Sequence, residues 1–380
     1  MNRIYLDYNA SAPCREEVLD RMAEVARSHF GNPSSAHKEG RAAKAVVEEA
    51  REQTASAIGA RPTEIVFTSG GTESDNLAIH GALAATPMAQ PHVVTSAIEH
   101  PAVLMACRKL EARGLRLSVV PCDDMARIDP EVLRTALEED TALVSVMHAN
   151  NEVGSIQPVQ AIARLAHDRK ALVHADAVQS LGKIPVDVND LGVDLLSISG
   201  HKIGGPKGAG ALYIREGTAI ESILHGGHQE FDQRPGTENV AAIAGCGVAV
   251  QLAVRAQAAE SARLGRLKTM LWEGLCGEAG GVVLNGSFDG SVTNTLNVSF
   301  DGVDAEAAMI ALDLEGVAVS TGSACAVGAV EPSHVLEAMC FERERCRGAL
   351  RFSMGFRTTE AEIREALEVI ARVIRRLRHC

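Results

Sequence analysis

What this 380-residue chain lacks already narrows what it does. No stretch approaches about eighteen consecutive apolar residues, and the opening Met1-Asn2-Arg3-Ile4-Tyr5-Leu6-Asp7 holds no long apolar run. Neither a membrane span nor a secretory leader is therefore expected, and the cytoplasm is the simplest location. No basic block exceeds Arg375-Arg376 with Arg372 and Arg378 nearby, and the formal net charge is −12. That balance argues against a general binder of nucleic acid or of anionic membrane. The nine cysteines form no Cys-x-x-Cys pair and are odd in number, so neither a zinc site nor a disulfide framework is indicated. Most are expected to be reduced, small core hydrophobes, and no metal site is expected. Repeats and low-complexity tracts are absent as well.

What is present is an ordinary globular composition, with 46% hydrophobic and 23% charged residues, at a length that suits a large domain plus a smaller one. Apolar runs at Ile65–Thr68, His92–Thr95, Leu115–Val120, Ala142–Met147, Ala171–His174, Leu195–Ser199 and Ala211–Ile214 alternate with amphipathic segments. Strands separated by helices mean crossover connections, so the expected fold is α/β with a mostly parallel seven-stranded sheet and helices on both faces. Ligands of such sheets sit at the carboxyl ends of strands. Residues 13–255 are assigned to the large domain; residues 1–12 and 256–380 are assigned to a smaller α+β one. The latter closes with a helix whose Ile363, Leu367, Ile370, Ile374 and Leu377 recur every third or fourth position. The Gly- and Pro-bearing segment His225–Glu238 has no hydrophobic period and is longer than a connection needs, which marks it as functional.

The chemistry is centred on Ser197-Ile198-Ser199-Gly200-His201-Lys202, an apolar strand that ends by presenting a histidine and a lysine. A lysine walled by Leu195, Leu196 and Ile198 would be partly desolvated, which frees its amine to attack a carbonyl. Upstream, Leu172-Val173-His174-Ala175-Asp176-Ala177-Val178-Gln179 puts a carboxylate just past an apolar run, where it needs a cationic partner; the pyridine nitrogen of pyridoxal phosphate (PLP) is one. The run from Ile65 through Ser69-Gly70-Gly71-Thr72-Glu73 reads as strand, glycine turn and helix start near Asn76, offering backbone N–H groups and a hydroxyl to a phosphate. A tight connection or a solvated loop lysine would leave the same local signatures.

Taken together, Ser199-Gly200-His201-Lys202, His174–Gln179, Asn150-Asn151-Glu152-Val153-Gly154 and Ser323-Ala324-Cys325 resemble the cysteine desulfurases, the NifS/IscS-like group of fold type I PLP enzymes. The likeness runs in family order from Tyr5-Leu6-Asp7 to Arg351-Phe352-Ser353-Met354-Gly355. It implies Lys202 as the lysine bonded to PLP, Asp176 as partner of the ring nitrogen, and Gln179 as a contact of the ring hydroxyl. Gly71, Thr72, Ser199 and His201 are implied around the phosphate, and Thr237, in Arg234-Pro235-Gly236-Thr237, would reach the phosphate of a second copy, which implies a homodimer. His100 would stack on the ring and shuttle protons, and Asn151 and Arg351 would bind the carboxylate of L-cysteine.

The resemblance further implies removal of sulfur from L-cysteine to give L-alanine, with a persulfide on Cys325 that passes to a sulfur-acceptor or iron-sulfur scaffold protein. Alternatives that the residues leave open are a selenocysteine lyase or other related PLP lyase or aminotransferase, and a non-catalytic sulfur carrier on the same fold. Gly71 departs from the family's commoner alanine, and His228–Gln233 is less basic than usual.

Overall fold

Runs of β-branched and aliphatic residues become strands in this computed structural model, which describes residues 3–321 and 333–378. In chain order they are β1 (Ile4–Tyr5), β2 (Ile65–Thr68), β3 (His92–Ser96), β4 (Arg116–Val120), β5 (Thr141–Met147), β6 (Leu172–Asp176), β7 (Leu195–Ser199), β8 (Gly210–Ile214), β9 (Val282–Leu284), β10 (Thr295–Phe300), β11 (Val317–Ala318) and β12 (Ala349–Ser353). The central sheet has the order β2-β8-β7-β6-β5-β3-β4. Only β8 runs against its neighbours, so the expected mostly parallel seven-stranded sheet is what forms. Strands β2, β3, β5, β7 and β8 are buried along their whole length, as a sheet covered on both faces requires.

On one face Val144, Val173, Leu196 and Ile198 pack with Val47, Ile162 and Ile243. On the other, Val93, Leu143, Leu195 and Leu212 meet Leu77, Ile79 and Val103. A separate core gathers around the antiparallel sheet β12-β10-β9, where Leu296, Val298 and Phe352 meet Ile363, Leu367, Ile370 and Ile374 of the final helix, Glu360–Arg378. The sequence period of that helix is thus its buried stripe. Ile4 and Leu6 belong to this second core, because β1 pairs in parallel with β11.

A 39-residue helix, Val240–Glu278, runs through both cores: Ile243, Cys246 and Val250 lie in the first, and Leu264, Leu267, Leu271 and Leu275 in the second. By length and composition one stretch of it would match a membrane span, yet half of that stretch is buried inside the fold.

Two boundaries differ from expectation. The helix after β2 begins at Gly71 rather than near Asn76, because glycine at position 70, with φ 145°, lets the chain pass straight from strand to helix without a separate turn. Strand β6 runs on to Asp176, whose carboxylate therefore stands at the sheet edge and not in a loop.

The segment His225–Glu238 is ordered by one buried ion pair. Arg51, on the helix Lys38–Ala57, is 1% exposed and donates through Nη1 and Nη2 to Glu230 at 2.8 and 2.7 Å, while the Phe67 N–H donates to the same carboxylate at 2.7 Å. Glu230, Phe231 and Asp232 all take left-handed backbone angles (φ 46°, 58° and 66°), a strained run for residues with side chains that this bidentate anchor holds in place. Removing one partner of a buried pair strands the other charge, so Glu230→Gln should cost about 3–5 kcal/mol in urea unfolding. Arg364→Ala, which breaks an exposed i,i+4 pair with Glu360, should cost no more than about 0.5 kcal/mol.

Candidate active site

Strand β7 ends at Ser199, and a single tight turn, Gly200–Lys202, follows it. That turn aims Lys202 back across the sheet edge, where Nζ donates to the backbone carbonyls of Asn9 at 2.6 Å and Ala10 at 3.0 Å. His201 lies alongside, its Nδ1 3.3 Å from the Ser11 hydroxyl; burial first, then Lys202, push its pKa down to about 4.

The adjacent strand β6 brings Asp176 to the same edge. It is 6% exposed and accepts the Val178 N–H at 2.9 Å. Burial lifts its pKa to about 6, against the opposite pull of the Val178 hydrogen bond and of Lys202. A cation set against a carboxyl so placed favours its ionised form. Behind it lie two more buried acids. Glu99 accepts from the Ser96 hydroxyl and from the Met147 N–H at 3.0 Å, and burial pushes it up to about 8; its other oxygen has no partner. Asp75 is raised well above its ordinary value by burial and then by Asp176. His174, between the hydroxyls of Ser145 (2.8 Å) and Ser197 (2.9 Å), is pushed down to about 3 by burial and stays neutral.

His100 precedes the helix Pro101–Glu111, and its Nδ1 accepts the Ala102 N–H at 3.1 Å. Neutral imidazole with an accepting Nδ1 carries its proton on Nε2. Burial, helped by Lys202 and His334, lowers its pKa to about 4 and keeps it neutral.

The helix Gly71–Ala85 opens beside Ser199 with no side-chain cap, so its first-turn N–H groups offer an anion site. The Ser199 hydroxyl is buried and has no partner. A Cβ on Gly71 would come 2.7 Å from a Val178 methyl, which explains why glycine stands there. Thr72 is exposed at the mouth of this cradle. A cofactor with an anionic tail, a basic ring nitrogen and an aldehyde finds each counterpart here: cradle, carboxyl and amine. The residues present fit PLP.

The remaining wall comes from the start of the chain. Asn9 donates to Ser353 Oγ (2.9 Å, from its backbone), to the Asn151 carbonyl (3.0 Å) and to Thr295 Oγ1 (2.8 Å), and accepts from Gln179 Nε2 (3.0 Å), Lys183 Nζ (3.0 Å) and Asn294 Nδ2 (2.9 Å) besides Lys202. Gln179, 5% exposed, also accepts from Lys183, whose pKa burial drives well below the ordinary lysine value. Arg351, on β12 and 3% exposed, donates from Nη1 to the Asn151 carbonyl at 3.0 Å and from Nη2 to Asp7 at 2.8 Å.

The structure thus brings together Lys202, His201, Ser199, Asp176, Gln179, Asn151, Arg351, His100 and the Gly71 cradle. Thr237 is exposed on its loop, which Arg234 ties to the cradle helix through Glu73 at 2.8 Å. Cys325 lies outside the described residues. The residues flanking its segment do reach the site: the Ser320 backbone pairs with that of Arg351, and His334 Nε2 donates to the Glu99 carbonyl at 2.9 Å. Of the other cysteines, Cys107, Cys246 and Cys346 are buried as expected, whereas Cys276 and Cys340 are exposed. Sequence reading missed Asp7, Asn9, Lys183 and Glu99. The only signal for the first pair was an Asx-rich stretch before Pro13, which looks like a turn.

A family model described as Aminotransferase class-V matches residues 4–366. The chain is 47% identical over 375 residues to the cysteine desulfurase IscS of Dictyoglomus turgidum, covering 99% of this chain and 95% of that one. It is 44% identical to the cysteine desulfurase IscS of Methanosarcina thermophila, with 99% and 93% covered. Among solved structures, a NifS-like protein superposes with a TM-score of 0.93 at 37% identity, covering 99% of this chain and 100% of that one. SspA in complex with cysteine gives 0.82 at 35%, with 92% and 98% covered.

Glu99 supplies a test of the site's electrostatics. Its folded pKa, about 8, lies above the unfolded value, so its contribution to stability is fully present below about pH 4.3 and is lost as pH rises through 8. Glu99→Gln cannot lose it. Between pH 5 and 8 the unfolding free energy of the wild type should therefore fall relative to that of the variant, read from urea midpoints; parallel profiles would contradict the assignment.

Proposed function

The chain belongs to the class-V aminotransferase family, in which it is a PLP-dependent cysteine desulfurase, and from the site just described we propose how its residues divide the work. What supports the division is the convergence of an amine, Lys202, a buried carboxyl, Asp176, and an unpaired hydroxyl, Ser199, at the ends of the adjacent strands β6 and β7.

Lys202 would hold PLP through Nζ. Gly71, Thr72, Ser199 and His201 would take its phosphate, and Asp176 its ring nitrogen. Gln179 and Asn151 would meet the ring hydroxyl, and His100 the ring face. When bound, the cofactor supplies an electron sink for the bond broken at Cα. Arg351 and Asn151 bind the carboxylate of L-cysteine and so fix which Cα bond faces the ring; a planar guanidinium suits that task. Once released, Lys202 Nζ rests on the Asn9 and Ala10 carbonyls, which hold the amine where it takes the Cα proton. His100, neutral and protonated at Nε2, is set to offer an Nε2–H hydrogen bond to the substrate.

Cys325 then takes the sulfur. The substrate's C–S bond breaks, an S–S bond forms at Cys325 Sγ, and the thiol proton ends on the carbon, so that cysteine and thiol become alanine and persulfide. The described residues on either side of this segment touch the site, Ser320 through Arg351 and His334 through the Glu99 carbonyl.

The same reading makes the protein a cytoplasmic homodimer in which Thr237 of one copy completes the phosphate site of the other, with residues 13–255 as the large domain and 1–12 plus 256–380 as the small one. The persulfide passes to a sulfur-acceptor protein, in the setting of iron-sulfur cluster assembly. Cys325→Ala should abolish sulfide release from L-cysteine while the purified protein keeps its visible PLP absorbance. Lys202→Ala should lose turnover and the absorbance of the lysine-bound cofactor. Retained cysteine turnover in Cys325→Ala would overturn the assignment.

A further inference from the structure

Arg351 is an unusual cation to find ready for a ligand. It is 3% exposed, and a buried guanidinium with no counter-ion would cost several kcal/mol in lost hydration. The structure gives it one inside the protein: Asp7 Oδ1 accepts from Nη2 at 2.8 Å. The Asn151 carbonyl takes a second donor, on Nη1, at 3.0 Å. Nε is buried and has no partner at all. Two fixed hydrogen bonds set the plane of the group, and each takes only one of the two N–H donors on its nitrogen.

Asp7 is itself held rigidly. Its backbone forms a parallel bridge with Ser353, on the same strand as Arg351. Ser353 donates its N–H to the Leu6 carbonyl at 2.8 Å, Tyr8 donates to the Ser353 carbonyl at 3.2 Å, and the Tyr5 hydroxyl donates to the Asp7 carbonyl at 3.0 Å. Its side chain, at 19% exposure, faces Arg351 from the edge of the pocket.

We propose that Asp7 is a positioning residue for recognition of the amino-acid carboxylate: it balances the charge of Arg351 inside the protein and orients it before substrate arrives, so that the carboxylate meets a guanidinium whose plane is already set. This rests on the reading of Arg351 as the carboxylate ligand. Its basis is preorganisation: ordering a long side chain after binding subtracts from affinity, and ordering it beforehand does not. Asp7 touches neither Lys202 nor Asp176 among the hydrogen bonds described, so its effect falls on binding of carboxylate-bearing ligands and not on the chemical step.

The experiment compares Asp7→Asn and Arg351→Lys with wild-type PLP-loaded enzyme. Asp7→Asn keeps the shape and removes the charge. KM for L-cysteine and the competitive inhibition constant of L-alanine should both rise about tenfold, with kcat changed less than about threefold. The inhibition constant of cysteamine, which has the amine and thiol but no carboxylate, should not move. A purely structural defect would weaken cysteamine as well. Unchanged KM and alanine inhibition in Asp7→Asn, with both weakened in Arg351→Lys, would overturn the role of Asp7 alone. Unchanged values in Arg351→Lys would overturn the underlying reading of Arg351. If Asp7→Asn does not fold, Asp7→Glu, which keeps the charge one methylene further out, should raise the alanine constant by a smaller factor and leave cysteamine unaffected; an unchanged alanine constant overturns the proposal.

Discussion

The knot at Asn9 is what the site depends on. One side chain and the backbone N–H and C=O of the same residue take hydrogen bonds from or give them to Lys202, Gln179, Lys183, Asn151, Asn294, Thr295 and Ser353. Those partners come from the ends of β6 and β7 in the central sheet, from β10 and β12 in the smaller one, and from segments far apart in the chain. A buried polar group left unpaired costs about 1–3 kcal/mol, so a residue whose groups are all matched in one arrangement penalises every other arrangement. Asn9 in this way fixes the lysine amine, the glutamine and the asparagine relative to one another, and it does so from a segment too short to have a core of its own.

The second constraint is charge taken out of water. Asp75, Glu99 and Asp176 sit together beneath the site, and burial pushes all three toward their protonated forms. Across from them Lys183, His100 and His201 are pushed toward their neutral forms by the same cause. The pocket therefore holds many ionisable groups whose charged forms burial disfavours. A ligand that brings its own charges, an anionic tail and a protonated ring, changes the balance for each of them.

Much of the frame was legible in the chain. The strands of the central sheet are continuous aliphatic runs, and the final helix carries its buried stripe as a repeat, so both declare themselves within a window of a few residues. Lys202 and Asp176 are legible for the same reason: each follows such a run and stands at the sheet's carboxyl edge. Asp7, Asn9 and Lys183 are not, since each joins the site through partners at least 142 positions away. The helix start at Gly71 was misplaced because paired glycines read as a break, whereas here the left-hand neighbour, Gly70, absorbs the turn and Val178 fills the space that a side chain at 71 would need. Exposed Cys276 and Cys340 show the limit of composition, since a thiol in an apolar context is not thereby inside.

Strand β1 joins β11 with Ile4 opposite Val317, and Asp7 bridges Ser353. A ribosome releases the first of these partners long before the second, so the opening residues must wait, unpaired, while the central sheet collapses behind them. Contacts this distant along a chain form late, because closing so long a loop costs entropy that only the finished interface returns. Competence thus arrives as the last act of maturation. A chain whose opening residues have not yet paired lacks the Asn9 and Asp7 contacts, so the assembled pocket and the finished fold are one event.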